Sequence, residues 1–501
     1  MGDYCCFGVN VSLISRHMEI AGYTPDWGLI LTAFGVLAGG CSVVGLTLYI
    51  IDKVKGKKQT RDIKELTARL SLFMDGLPDA PRKVRDSYTE GLRAMSESRY
   101  EEAKANFEEA LKRTKDYSQL SAIHQALGNV LDRLSEFALS REEFINALKL
   151  SEYAKDDRGR AAALNGLGMA ERQLGNYAAA EACHKKGVVL AEKTGYKEGV
   201  AANKGNLANV LMFKGNLDAA LINNREALTI HRHLSDLFGE AVDLTTLGLI
   251  LQEKGDLDGA QKNLCEALEI DRSSGNRQGE AADLGNIGSV LILKGYLSNA
   301  LEYLLEAQLM DRSLGNRHSE AQNLGNIGSV LMMQGDLDGA LEQYSEAINI
   351  HRGLGDPLGE AVGLSNIGIA LGMKGDSDGA LTSFREALEI NRSLGNPNGE
   401  ARALGNIGIV LLRKGDSENA LEKFQAALDI DRRLGNRLGE CQDIGNIGST
   451  YFNNGEPATA LKYFTEALAM AEVVGASREI GINRRNIERV KVLLDEEIGE
   501  E

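Results

Sequence analysis

Proline is scarce, with six in 501 residues, and aromatic residues make up only 5% of the chain. A compact core in a protein this long would carry more aromatic mass. A stack of thin two-helix layers, packed by Ala, Leu, Ile and Gly, does not need it. Basic excess is also missing. The formal net charge is -16, and residues 1–80 carry as many acids as bases, so the whole imbalance lies in residues 81–501. An acidic surface is a poor binder of phosphate backbones, which argues against nucleic acid as a partner. It suits basic or mixed-charge proteins, and it keeps a long array soluble. The six cysteines form no CxxC pair and no Cys/His cluster, so no metal site is expected, and their scatter fits a reducing compartment. No GxGxxG or Walker A loop occurs. His231 and His233 form an isolated HxH for which a surface role is expected. No catalytic residue and no cofactor is nominated.

One long uncharged run is present, from Trp27 to Ile51. At about 1.5 Å of rise per residue such a helix crosses a ~30 Å hydrocarbon core. Trp27 and Tyr49 stand near its ends, where amphipathic aromatics favour the headgroup layer. Lys53, Lys55, Lys57, Lys58, Arg61 and Lys64 follow it, which places the following chain in the cytoplasm and residues 1–26 outside. Gly35 and Gly39 form a GxxxG spacing suited to a homodimer. Asn10-Val11-Ser12 is a glycosylation sequon, and Cys6 stands where a myristoylation signal wants Ser or Thr.

The remainder repeats every 40 residues. Glycine stands at 175, 215, 255, 295, 335, 375, 415 and 455, and alanine five residues after each. Each period reads as two helices, the second carrying Leu337, Ala340, Leu341, Tyr344, Ala347 and Ile348 at helical spacing. Gly335 and Gly355 end helices, Asp336 caps the next, and Asp356-Pro357 and Asn396-Pro397 place a cap before a proline. Gly325, Gly328 and Ala340 are expected where helices come close. Residues 477–500 read as a final first helix, with Ile487, Val490 and Leu494 covering the open end. Arginine at 232, 272, 312, 352, 392 and 432 and glutamate eight residues after each predict a structural charge ladder.

Gly328, Ala340, Tyr344 and Ala347, and again Gly368, Ala380, Phe384 and Ala387, resemble the signature of the tetratricopeptide-repeat (TPR) family. Gly91, Ala103, Phe107 and Ala110 give a degenerate first copy, and Leu127-Gly128 with Ala147 a second. The usual period is 34 and the usual proline after the second helix is missing here. The 40-residue form is similar to the repeats of the Partner of Inscuteable family, of kinesin light chains, and of bacterial and archaeal TPR proteins. The resemblance implies an all-α, right-handed superhelical TPR solenoid of antiparallel helix pairs, here preceded by one transmembrane helix. The expected organisation is an outer segment 1–26, a membrane helix 27–51, a basic segment with a short amphipathic helix and linker 52–84, the array 85–480 and a capping helix and tail 481–501.

First helices of such an array line its concave face. They carry an asparagine column: Asn206, Asn286, Asn326, Asn366, Asn406 and Asn446, with Asn486 in the cap. An amide both donates and accepts, so it can satisfy the backbone of an extended peptide whatever its side chains. Similar asparagines contact peptide backbones in the long-repeat families. The amides can equally form a structural ladder between repeats, and both readings stay open. Gly285, Gly325, Gly405 and Gly445 would leave room for close approach. Ser289, Ser329, Ile369, Ile409 and Ser449, then Met332, Met333, Met373, Leu412 and Phe452, would tune selectivity. The expected function is a membrane-anchored scaffold that captures protein or peptide partners and does no chemistry. The alternative is an assembly factor docking folded subunits of a membrane complex.

Overall fold

The computed structural model describes residues 80–97 and 99–500. The expected membrane span 27–51, the outer segment, the amphipathic helix at 61–74 and the Gly35/Gly39 pair lie outside the described residues. Among the described residues no helix is long and apolar enough to cross a membrane. All regular structure there is α-helical, in twenty-one helices. The chain divides into two compact units, meeting after Lys294. The N-terminal unit holds α1 (Arg82–Ser96), α2 (Tyr100–Leu111), α3 (Tyr117–Arg133), α4 (Phe137–Tyr153), α5 (Asp157–Gln173), α6 (Tyr177–Lys193), α7 (Lys197–Phe213), α8 (Leu217–Leu234), α9 (Leu237–Glu253), α10 (Leu257–Ser274) and α11 (Arg277–Leu293). The C-terminal unit holds α12 (Leu297–Leu314), α13 (Arg317–Gln334), α14 (Leu337–Leu354), α15 (Pro357–Lys374), α16 (Ser377–Ser393), α17 (Pro397–Arg413), α18 (Ser417–Leu434), α19 (Arg437–Asn453), α20 (Pro457–Val474) and α21 (Ser477–Glu500).

The chain turns on a strict beat. Backbone φ is positive at Ser135, Lys155, Gly175, Gly195, Gly215 and Ser235, and then at a glycine every twenty residues from Gly255 to Gly475. The 40-residue period is thus two equal halves, each a helix and a left-handed turn. Glycine suits these turns because it lacks the Cβ that crowds the following carbonyl. Between α13 and α14 the Gly335 amide donates to the Met332 carbonyl at 3.1 Å and the Asp336 amide to the Leu331 carbonyl at 2.9 Å. The Asp336 carboxylate then accepts from the Gly339 amide at 3.0 Å, starting the next helix. Asp356 and Asn396 cap α15 and α17 in the same way, each ahead of its proline.

Within each unit, odd-numbered helices of successive hairpins touch one another, as α7 touches α9 and α17 touches α19. Even-numbered helices of successive hairpins make no comparable approach among the described residues. Each unit therefore bends with its first helices on the inside.

Inside a hairpin, a second-helix side chain inserts against a first-helix glycine sixteen residues earlier. A Cβ built on Gly328 would lie 2.7 Å from the Tyr344 ring, on Gly368 2.6 Å from Phe384 and on Gly408 2.6 Å from Phe424. Gly91 meets Phe107 and Gly128 meets Phe144 likewise, which explains the two degenerate copies. Gly325 departs from expectation, since a Cβ there would meet open space. The facing alanines, Ala340, Ala380 and Ala420, are fully buried. At the end of the C-terminal unit Val490 is buried against Ala460 and Phe464, with Ile487 and Leu494 beside it, as a capping helix requires.

The charge ladder is present except at its last expected rung, where among the described residues Glu440 pairs with Arg437 at 3.2 Å and not with Arg432. Arg232–Glu240, Arg312–Glu320, Arg352–Glu360 and Arg392–Glu400 pair at 2.6–2.7 Å across the turn that joins their helices. The arginines are about half exposed, so most pairs contribute up to about 1 kcal/mol. Glu320 is fully buried and bridges Arg312 and Arg317, a tighter clamp.

Candidate functional site

The asparagine column lies on the inner helices, and every member is half-buried. In the N-terminal unit it is broken: Asn206 sits on α7 and Asn286 on α11, but Thr246 takes the place on α9. In the C-terminal unit it is continuous through Asn326, Asn366, Asn406, Asn446 and Asn486, one on each inner helix from α13 to α21. Asn206 donates from Nδ2 to Asn165 Oδ1 at 2.9 Å, a ladder rung between α7 and α5. Asn366, Asn406, Asn446 and Asn486 make no side-chain hydrogen bond among the described residues. The column thus holds a rung in the N-terminal unit and a row of amides without side-chain hydrogen bonds in the C-terminal one.

Residues one turn further on behave differently from expectation in part. The hydroxyls of Ser289, Ser329 and Ser449 donate to the carbonyls four residues back, at 2.9–3.0 Å. Those bonds hold each hydroxyl against its own helix. Met333 and Met373 are each 55% exposed and Ile369 is exposed, whereas Met332 packs inward beside Ala340. In the C-terminal unit the exposed apolar side chains at these positions come from α13 and α15, and Phe213 on α7 and Leu293 on α11, at the position of Met333 in the N-terminal unit, are exposed as well. At the far end, Ser449, Phe452, Asn453, Phe464, Asn486 and Arg489 line a small cleft between α19, α20 and α21. The Arg489 guanidinium lies 5.2 Å from the Phe452 ring centroid. The glycines before the asparagines are not all open. Gly205 faces the Asp243 carboxylate and Gly445 faces Asn483.

That contact exposes a feature the linear pattern hides. Positions twelve apart, one late in a second helix and one in the middle of the next first helix, are buried and polar. His231 and Asp243 pair at 2.7 Å through Nδ1. Asp311 accepts from Asn323 at 2.9 Å. Asp271 faces Asp283, and Asp431 faces Asp443. Burial, with Asp431 nearby, pushes the Asp443 carboxyl up to about 8. Burial and Asp271 push Asp283 up to about 7 against the Thr245 hydrogen bond, and burial pushes Asp271 up to about 6. Burial opposes charge on His231, but the hydrogen bond and charge of Asp243, with Asp236 and Glu240, raise its imidazole overall. His231 is thus a core residue and not the surface histidine expected. His233 is exposed and bonds the Thr229 carbonyl. Aligning the chain on its period would have shown the polar column at 231, 271, 311, 351, 391 and 431. A second missed group, His318, His351 and Asp356, brings donor atoms from three helix ends within 4.8 Å of one another.

Sequence models for the tetratricopeptide repeat match residues 199–273, 319–393, 359–433 and 399–473, and a second such model matches 160–194. Together they span slightly more than half the chain. The chain belongs to the tetratricopeptide-repeat family. No curated protein sequence matches it closely enough to count as a relative. Among solved structures, the TPR array is similar to a Rap protein complexed with competence and sporulation factor, at 14% identity over 70% of this chain and 98% of that one, with a TM-score of 0.51. It is also similar to the apo form of the quorum sensor NprR from B. thuringiensis, at 16% identity over 71% of this chain and 99% of that one, again with a TM-score of 0.51. At such identities the likeness is one of fold.

Proposed function

We propose that this TPR protein is a scaffold that holds extended segments of partner proteins along the inner helices of its C-terminal unit. The observation that carries this reading is the continuous row of half-exposed amides Asn366, Asn406, Asn446 and Asn486, none of them spent on the protein's own bonds. An extended backbone presents a donor and an acceptor at each residue, and an amide answers both. Met333, Met373 and Ile369 beside the row supply adaptable apolar contact. Rap, a protein of similar fold, was solved with a bound factor, which supports the reading at the level of fold alone. The uncharged run 27–51 and the lysines after it support a single-pass anchor with the array on the cytoplasmic side. The scaffold reading asks no chemistry of the chain.

The test is selection of binders from a displayed library of random linear peptides, followed by titration of the best binder against full-length protein and against Asn366→Ala/Asn406→Ala. Loss of two amide contacts, each worth about 1 kcal/mol, should weaken binding roughly tenfold or more with the helical circular-dichroism signal unchanged. Full affinity in the double variant would remove the amide row from the binding surface. A failure of the library to yield any binder would favour docking of folded subunits instead.

A further inference from the structure

We infer that His318, His351 and Asp356 form a binding site for a divalent transition metal of the zinc class. Two of the seven histidines of the chain converge here on one carboxylate. His318 stands in the first turn of α13, His351 in the last turn of α14, and Asp356 is the cap of α15.

The carboxylate is pre-oriented. Its Oδ1 accepts from the Gly359 amide at 3.0 Å, which fixes the group at the helix start, ahead of Pro357. Its Oδ2 points at both imidazoles, 2.8 Å from His351 Nδ1 and 3.7 Å from His318 Nδ1. Donors bound to zinc at about 2.0–2.1 Å, at angles between square and tetrahedral, lie about 2.9–3.4 Å apart. The two separations bracket that range, and an ion there would displace the proton of the hydrogen bond between His351 Nδ1 and Asp356 Oδ2 while His318 rotates inward. His318 is the mobile partner: its side chain is 60% exposed, whereas that of His351 is 9% exposed. The two rings meet edge to face with centroids 5.8 Å apart.

A supporting group is also in place. The Gln322 amide lies 3.0 Å from His318 Nε2. With its oxygen turned to that nitrogen it accepts the Nε2 proton and leaves the Nδ1 lone pair facing Asp356, an arrangement common to metal-bound histidines. Two imidazoles and one carboxylate suit Zn²⁺, Co²⁺ or Ni²⁺ more than a hard ion such as Mg²⁺ or Ca²⁺, which takes oxygen ligands. Three protein ligands leave a fourth position on the exposed side of His318.

The repeat itself argues that this set is particular. The position of His351 is occupied by His231, Asp271, Asp311, Asn391 and Asp431 in other hairpins, and that of His318 in the same hairpins by Glu198, Phe238, Gln278, Leu358 and Asn398. Histidine occurs at both places in one hairpin. A bound ion would tie the open end of the α13–α14 hairpin to the start of α15.

The test uses untagged full-length protein stripped with a chelator, titrated with Zn²⁺ by calorimetry and with Co²⁺ by visible absorption. The comparison is His318→Ala/His351→Asn, which changes one exposed residue and copies at 351 the residue that another hairpin uses. The wild type should bind one more equivalent than the variant, show the Co²⁺ ligand-field bands that the variant lacks, and gain melting temperature with Zn²⁺. Gln322→Ala should weaken that equivalent by roughly tenfold or more. Equal stoichiometry and affinity in wild type and double variant would overturn the site, as would the absence of any zinc-dependent binding by the wild type.

Discussion

The same slot is filled differently in the two units. In the C-terminal unit the second-helix side chains that insert into the hairpins are Tyr344, Phe384, Phe424 and Phe464, all aromatic and buried. In the N-terminal unit the corresponding residues are Phe107, Phe144, His184, Asn224 and Leu264. His184 is fully buried against Gly168, with Nδ1 3.5 Å from Asn203 Oδ1 and Nε2 without a partner. Asn224 is fully buried, and neither polar atom of its side chain finds a partner among the described residues. Where the inserted residue shrinks to Asn224, the first-helix position sixteen residues earlier is Ala208 in place of glycine. The backbone period therefore sets the slot, while the residue in it sets the energy. The polar residues make the middle of the N-terminal unit its soft region.

The largest test of this contrast is a pair of substitutions read by hydrogen exchange, which assigns stability to individual helices. Phe424→Ala should cost about 3–5 kcal/mol and expose α17 and α18 to exchange. Asn224→Leu, close to isosteric, should do the reverse, gaining about 1–3 kcal/mol by removing two unsatisfied buried polar atoms. If Asn224→Leu leaves exchange in α7 and α8 unchanged or faster, the contrast between the units fails.

Acidity offers a second, smaller way to separate them. Burial lowers the His184 imidazole to about 4, against the opposing hydrogen bond to Asn203. The unfolded chain therefore takes up a proton near pH 6.5 that the folded hairpin refuses, and stability falls as pH drops from about 6.5 towards 4. His184→Phe, which restores the pairing of Gly168 with an aromatic, should abolish that loss. Asp443 has the opposite sign. Its folded carboxyl holds its proton up to about 8, so the unfolded state binds fewer protons above pH 4 and stability falls as pH rises from about 4 through 8. Asp443→Asn should match wild type near pH 4 and be more stable at pH 9, by roughly 1.4 kcal/mol for every tenfold difference in proton affinity between the folded and unfolded carboxyl. Melting curves of the three proteins between pH 4 and 9 decide the matter, and parallel profiles for wild type and Asp443→Asn would discard the buried acid pair. Asp283 and Asp271 add a contribution of the same sign in the N-terminal unit.

These differences mark how far the sequence could be read. Turns, caps and glycine-to-aromatic insertions were legible because each is local or fixed by the 40-residue beat: Gly335, Asp336 and Gly368 announce themselves by residue type. The buried pairs were not. His231 and Asp243 lie twelve apart across a turn, a separation that no helical periodicity selects, and polar residues read as solvent-facing until the neighbouring first helix covers them. Gly325 failed for the same reason in reverse, since a small residue marks close approach only where something approaches. The amide column was legible as a column, yet its division into a rung at Asn206 and an uncommitted row after Asn326 depends on neighbours. His318, His351 and Asp356 escaped because their ligand spacing exists only once three helix ends meet.

The smallest effect in the comparison belongs to the turns. Every left-handed turn of the C-terminal unit is a glycine, whereas the N-terminal unit uses Ser135, Lys155 and Ser235 at φ of 62°, 56° and 57°. An L residue there is strained by about 1–2 kcal/mol, partly offset because glycine loses more chain entropy on folding, by about 0.5–1 kcal/mol. Ser235→Gly should therefore stabilise the α8–α9 junction by up to about 1 kcal/mol. Gly355→Ser should cost a similar amount at the α14–α15 junction, where a Cβ would meet nothing within 4 Å and the loss is purely one of backbone conformation. Denaturant unfolding of the two variants should move in opposite directions by comparable amounts. A neutral Ser235→Gly would mean that the serine recovers the strain locally, and the turns would no longer distinguish the units.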